Sequence, residues 1–264
     1  MALTDNFLKM LDYVKYGYSG KLLTIGVQEL VLSSNYKKKI KAKYIGKKNN
    51  KILSSNLIFK KIGFSEINTL DYPGMDNSDI ELDLNTKLPK KHFSKYNFVL
   101  DAGFMEHVFN VPEMMKSLHN LLKPGGKIVH FNPCQGSMNH GFYNFQPTFY
   151  FSYYKSCNYK NIKVFLVESK ISNNMSEDKV TQIHENINNM NYFPKSSSST
   201  YILTFATKTL NSFFKMPNQE FYQNIFNEKK KLNGKRIPNK KYQKIVGNTK
   251  NNNHKIITKK AFYI

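Results

Sequence analysis

The sequence predicts an α/β fold built on a mostly parallel sheet, and three observations carry that prediction. Residues 96–133, YNFVLDAGFMEHVFNVPEMMKSLHNLLKPGGKIVHFNP, read as strand, helix, tight turn, strand. Two strands joined by a packed helix form a crossover unit and lie parallel in one sheet. Short aliphatic runs upstream, KLLTIG at 21–26 and INTLDY at 67–72, each end in a glycine or an acid, as strands do at a ligand-bearing edge. Downstream, Lys163–Ser169 and Tyr201–Thr207 are rich in β-branched and aromatic residues and read as two further strands.

The central unit is the most legible part. Asn97–Leu100 is a short apolar run ending in Asp101. Val111, Met114, Met115, Leu118, Leu121 and Leu122 then recur at helical spacing and define one apolar face. Asn110 is placed to cap this helix, Pro112 suits its first turn, and Glu113 suits the positive end of its dipole. Lys123-Pro124-Gly125-Gly126 stops it, and Lys127–Phe131 is again a strand.

FVLDAGFMEHVFNV followed by LLKPGGKIVHF resembles the segment from the fourth to the fifth strand of class I S-adenosylmethionine-dependent methyltransferases. The resemblance extends over roughly Lys21–Lys208. It implies a Rossmann-like seven-stranded, mostly parallel sheet with helices on both faces and an antiparallel last strand. It also implies S-adenosylmethionine as cofactor. Residues 1–208 then form the methyltransferase-like domain, with 171–200 inserted between the last two strands, and 209–264 form a basic C-terminal extension.

Taken in order, Ala2–Tyr16 is an amphipathic helix candidate with Phe7, Leu8, Leu11 and Val14 on one face. Lys21–Gly26 is the first strand. Gly26 matches the first glycine of the family's cofactor loop, whose backbone approaches the ligand closely. Val27, Gln28 and Glu29 stand where the later glycines belong, so the first motif is degenerate. Either the loop has another shape or cofactor binding is lost. A surface helix and loop are expected within Val31–Lys51, and a short helix over Leu57–Gly63. Ile67–Tyr72 is the second strand. The resemblance makes its Asp71 the acid that accepts both ribose hydroxyls, although it lies farther from Gly26 than the family spacing; a solvated turn aspartate is the other reading. In the third segment, Asp79–Asn85, the resemblance puts Asp83 near the adenine and Leu84 against its ring. The alternation of acids and aliphatics fits an edge strand with one wet face equally well.

Asp101 and Ala102 end the fourth strand at the carboxyl edge, and both are cofactor-binding candidates. Gly103 lets the chain pass close to the ligand. Glu106 and His107 open the following helix, where the family position of His107 orients the loop. Asn132–Tyr150, NPCQGSMNHGFYNFQPTFY, leaves the fifth strand at the same edge. The resemblance makes it an acceptor loop. His140, as a base, and Tyr143 are its catalytic candidates; an aromatic cluster packed under a lid is the other reading. Phe149–Tyr159 reads as a helix, Lys195–Ser199 as flexible, and Asn218–Lys231 as a helix docked from the extension. No metal-ligand set stands out.

Composition sets bounds. The 264 residues carry 40 Lys and Arg against 18 Asp and Glu, a formal net charge of +22. Such a surface suits a polyanionic partner. Nearly all of it is lysine, however, with Arg236 the lone arginine, which is what an AT-rich coding sequence gives without selection for charge. The scarcity of arginine also argues against base reading in the major groove, so nucleic acid is a weakly supported partner. Cys134 and Cys157 suggest neither a disulfide framework nor a metal site. No apolar run approaches the ~20 residues of a membrane span, and the first residues do not read as a signal peptide. The expectation is a cytoplasmic methyltransferase acting on a small-molecule or sugar-type acceptor through O- or N-methyl transfer. The alternative is an inactive methyltransferase-like binding or scaffolding protein.

Overall fold

The computed structural model describes residues 2–14, 16–46, 52–75, 77–170, 178–184, 198–238, 240–242 and 262–263. In chain order the elements are β1 (Ala2–Thr4), α1 (Asp5–Val14), β2 (Gly20–Ile25), β3 (Glu29–Val31), α2 (Ser34–Tyr44) and α3 (Ser55–Ile62). Then come β4 (Phe64–Asp71), β5 (Ile80–Glu81), β6 (Tyr96–Ala102), α4 (Val111–Leu121), β7 (Leu122–Gln135) and α5 (Pro147–Ser156). The chain continues with β8 (Lys160–Lys170), β9 (Asp178–Ile183), β10 (Ser198–Thr207), α6 (Glu220–Lys231) and β11 (Phe262–Tyr263).

Among the described residues, nine strands form the main sheet in the order β11-β9-β8-β10-β7-β6-β2-β4-β5. β5, β4, β2, β6 and β7 are parallel, and β10 runs antiparallel between β7 and β8. The predicted mostly parallel sheet with an antiparallel last strand is therefore present. Side chains alternate between its faces. Leu23, Ile25, Val99, Ile128, Leu166 and Ile202 join one buried cluster with α4 and α5. Leu22, Phe98, Leu100, Val129, Phe165 and Leu203 join the other with α1 and α3. Burial on both faces is why these strands read as continuous apolar runs.

Helix α4 starts as its sequence dictates: the Asn110 side chain accepts from Glu113 N–H, and Pro112 lies in the first turn. Its exit differs from expectation. The helix passes directly into β7, and the residues between Leu122 and Lys127 are absorbed as a bulge, because Tyr96 pairs with Leu122 and Phe98 with Lys127. Gly125, at φ +79°, makes the bulge possible.

The N-terminal segment also departs from expectation. Helix α1 begins only at Asp5, because Ala2–Thr4 pairs in parallel with Glu29–Val31 as a separate two-stranded sheet. The expected insertion contributes β9, which pairs antiparallel with β8 and widens the sheet. Lys195–Ser197 lie outside the described residues. Among the described residues no helix is long and apolar enough to cross a membrane.

Candidate active site

The strand order reverses between β2 and β6: one path runs outward through β4 to β5, the other through β7. The crevice beyond the carboxyl ends at such a switch point is where open α/β sheets hold ligands. Gly26 leaves β2 at φ +81° and donates its N–H to Leu70 O at 2.6 Å. The next N–H, of Val27, donates to Asp71 Oδ2 at 3.1 Å, and Tyr72 N–H donates to Asp71 Oδ1 at 2.7 Å. Asp71 is thus buried and braces the first loop. Gln28 is buried as well. Its Nε2 donates to Ile25 O at 3.2 Å and to Gly26 O at 3.3 Å, so the side chain lies back along the loop's own backbone.

Asp101 is the hub of the rim and is 0% exposed. Its Oδ1 accepts from Phe104 N–H at 3.2 Å and from Met105 N–H at 3.1 Å. Its Oδ2 accepts from His130 Nδ1 at 2.7 Å and from Asn132 Nδ2 at 3.1 Å. The other ring nitrogen of His130, Nε2, pairs with the Tyr154 hydroxyl. Asn132 is shared. Its amide also donates to Glu106 Oε2 at 3.1 Å, and its carbonyl accepts from Tyr150 O–H at 2.7 Å. All six side chains are buried. Burial, followed by the charge of Asp101, pushes the Glu106 carboxyl up to about 7. Four acceptor contacts leave Asp101 ordering the rim from within.

The loop after β7 folds onto Glu106. Phe142 N–H donates to Glu106 O at 2.7 Å, and Gly141 lies so close that an added Cβ would stand 2.7 Å from the same oxygen. This clamp places His140 Nε2 3.9 Å from Glu106 Oε1, with the His140 ring edge-on to His107 at 5.0 Å between centroids. Burial, then His140, lowers the pKa of His107. The Tyr143 hydroxyl donates to Phe109 O at 2.9 Å and holds the loop in place. Phe109 and Phe142 meet edge to face at 5.5 Å and stay exposed, forming an aromatic rim.

The remaining candidates lie as follows. Asp83 Oδ1 accepts from Asn85 N–H at 2.8 Å and from Asn85 Nδ2 at 2.9 Å, closing a turn. That turn is joined to the start of α4 by Asn110 N–H donating to Asn85 Oδ1 at 2.9 Å. Leu84 and Ala102 are buried in the two hydrophobic clusters, Leu84 with α4 and Ala102 with α1. Gly26, Asp71, Asp101 and the His140 loop thus share one rim. Sequence reasoning missed the network joining Asp101, Glu106, His130, Asn132, Tyr150 and Tyr154. Its one legible signal was the Tyr150/Tyr154 pair, four apart on α5 and so on one helix face.

The five-strand parallel core, the reversal beside its first strand and the antiparallel strand slotted between the last two are the expected arrangement. The fold is Rossmann-like, a mostly parallel sheet flanked by helices. No family model matches the sequence, and no curated protein matches it. Among solved structures, this chain is similar to a SAM-dependent methyltransferase from Archaeoglobus fulgidus (11% identity, 76% of this chain and 92% of that one, TM-score 0.44). A SAM-dependent methyltransferase from Thermotoga maritima overlaps at 15% identity, 76% and 89% coverage and TM-score 0.41. A phosphoethanolamine N-methyltransferase from Haemonchus contortus, in complex with S-adenosylhomocysteine, overlaps at 10% identity, 76% and 52% coverage and TM-score 0.41. The strand order, rather than these overlaps, carries the fold assignment.

Proposed function

We propose that the protein is an S-adenosylmethionine-dependent methyltransferase that acts on a hydroxyl or amine of a small-molecule or sugar-type acceptor. The observation that carries this reading is the position of Asp71, at the carboxyl end of β4 beside the switch point and bonded to the loop that leaves β2. Each carboxylate oxygen accepts one main-chain N–H and keeps a second lone pair. Two ribose hydroxyls match that remaining capacity. Gly26 presents no Cβ where the chain turns at φ +81°. These residues fit the nucleoside half of the cofactor, with Asp71 and Gly26 holding it and Asp83 and Leu84 on the adenine side. Asp101 and Ala102 set the shape of the rim.

The cofactor, when bound, supplies a methyl group already activated on a sulfonium. The chain's own work is to align the acceptor and exclude water, and alignment alone contributes on the order of 7–11 kcal/mol. His140 is exposed at the rim, where its imidazole can take the acceptor's proton. Tyr143 fixes the loop that carries it, and Phe109 and Phe142 wall the approach.

Calorimetry with S-adenosylhomocysteine tests the reading, followed by transfer of labelled methyl from S-adenosylmethionine to panels of sugars and amines. Saturable binding supports it. One observation favours a second reading, that of a binding or scaffolding module: Gln28 lies buried against Ile25 O and Gly26 O within the loop that would wrap the cofactor. No heat and no thermal shift at millimolar ligand would select that module.

A further inference from the structure

We propose that Glu106, His107 and His140 form a divalent transition-metal site on the acceptor side of the rim. One ligand atom from each of the three lies within 4.8 Å of those of the other two. Two imidazoles and one carboxylate form a donor set that Zn²⁺ and its neighbours in the first transition row favour over Mg²⁺. A zinc ion bound at ~2.0–2.1 Å to each donor draws the three atoms somewhat closer than they stand here. The two imidazoles are exposed and can supply that closure by side-chain rotation.

The carboxylate is built for the task. Glu106 is 2% exposed, Asn132 holds its Oε2, and its Oε1 faces His140 across 3.9 Å. Asn132 is itself fixed by Asp101 and Tyr150, the kind of outer shell that orients metal ligands. The His140 ligand arrives on a backbone seated on Glu106 O through Phe142 N–H, an approach that only glycine at 141 permits. The two histidines come from different loops, after β6 and after β7. Only the folded rim assembles the set, and that accounts for its invisibility as a sequence motif.

Three protein ligands leave coordination positions open. An ion there can bind and polarise an oxygen of the acceptor, and with His140 coordinated that polarisation takes the place of the imidazole in releasing the acceptor's proton. That use rests on the methyltransferase reading; the ion-binding capacity does not. The test is therefore made on the full chain, freed of metal with a chelator, without any nucleoside ligand. Titration with ZnCl₂ by calorimetry, and with CoCl₂ by visible absorption, is expected to give one saturable site with cobalt–imidazole bands. His140→Ala and His107→Ala, both at exposed positions, are expected to weaken it at least about tenfold each, and Glu106→Gln to remove it. Absence of saturable binding by the parent chain overturns the proposal. So does equal binding by the His107→Ala/His140→Ala double variant, which would put the ion on other histidines. S-adenosylhomocysteine calorimetry in the presence of EDTA tests the methyltransferase reading separately.

Discussion

Val27 N–H donates to Asp71 Oδ2 at 3.1 Å, so the end of the second strand of the parallel core pins the loop leaving the first. This one bond ties the acid to the shape of the loop that would meet a cofactor. Asp71→Ala orphans the N–H groups of Val27 and Tyr72 and removes the carboxylate. The expected result is a fall in S-adenosylhomocysteine affinity of at least about tenfold, matching the loss of one charge-assisted hydrogen bond of ~1.5–3 kcal/mol. Calorimetry on parent and variant measures it. Unchanged affinity would mean that Asp71 serves the loop alone.

Asn132 is the joint between Asp101, Glu106 and Tyr150. Asn132→Leu keeps the branched outline at greater bulk and leaves Glu106 Oε2 and the Tyr150 hydroxyl without their partner in a buried place, while Asp101 Oδ2 keeps its bond to His130. Each orphaned group costs about 1–3 kcal/mol. A lower urea midpoint with an unchanged slope is expected, whereas Cys134→Ser, at a partly buried position one turn of the pleat away, is expected to stay near the parent.

Gly141→Ala places a methyl 2.7 Å from Glu106 O and 3.1 Å from Glu106 Cγ. The loop has to lift, and the Phe142–Glu106 bond is expected to break. Overpacking of this kind costs roughly 1–3 kcal/mol. Thermal unfolding reads the stability loss. The cobalt absorption of the variant is expected to fall with it, since His140 rides on the displaced segment.

His119, buried on α4, meets the Tyr159 hydroxyl through Nδ1 at 3.0 Å, while its carbonyl accepts from Lys208 Nζ at 2.7 Å. Burial, then the Lys208 charge, lowers its pKa to about 4. The folded pKa lies below the unfolded value of ~6.5, so between pH 6.5 and 4 the unfolded chain binds more protons. Stability therefore rises with pH across that window and is lost on acidification. Urea midpoints at pH 7, 6, 5 and 4.5 are expected to fall more steeply for the parent than for His119→Gln, which keeps a hydrogen-bond partner for Tyr159 without a titrating ring. Parallel curves would remove His119 as the source.

The strands carrying apolar runs were legible because both faces of the sheet are buried, and β2, β4, β6, β7, β8 and β10 fall close to where the sequence puts them. The third strand shrank to Ile80–Glu81, and β9 grew out of a stretch read as insertion. Strand pairing is satisfied by a neighbour's free edge, and a local window cannot see that edge. At the site, the resemblance pointed to Gly26, Asp71, Asp101 and His140, and the structure gives their positions along the ends of the parallel strands without testing their roles. Their partners were not legible, since hydrogen bonds such as Tyr16 to Thr207 or Asn132 to Asp101 span separations that no spacing rule covers.

By itself the sequence determined the α/β class, the parallel crossover around α4 with its Asn110 cap, and which acids and aromatics stand at strand ends. These follow from periodicity and from turn and cap chemistry, which act over a few residues. Only the tertiary structure decided that Asp71 grips Val27, that Gln28 lies back along its own loop, and that Glu106, His107 and His140 come together. Those outcomes depend on how separate loops settle on a shared sheet edge, where burial forces each polar group to find whatever partner the fold brings within reach.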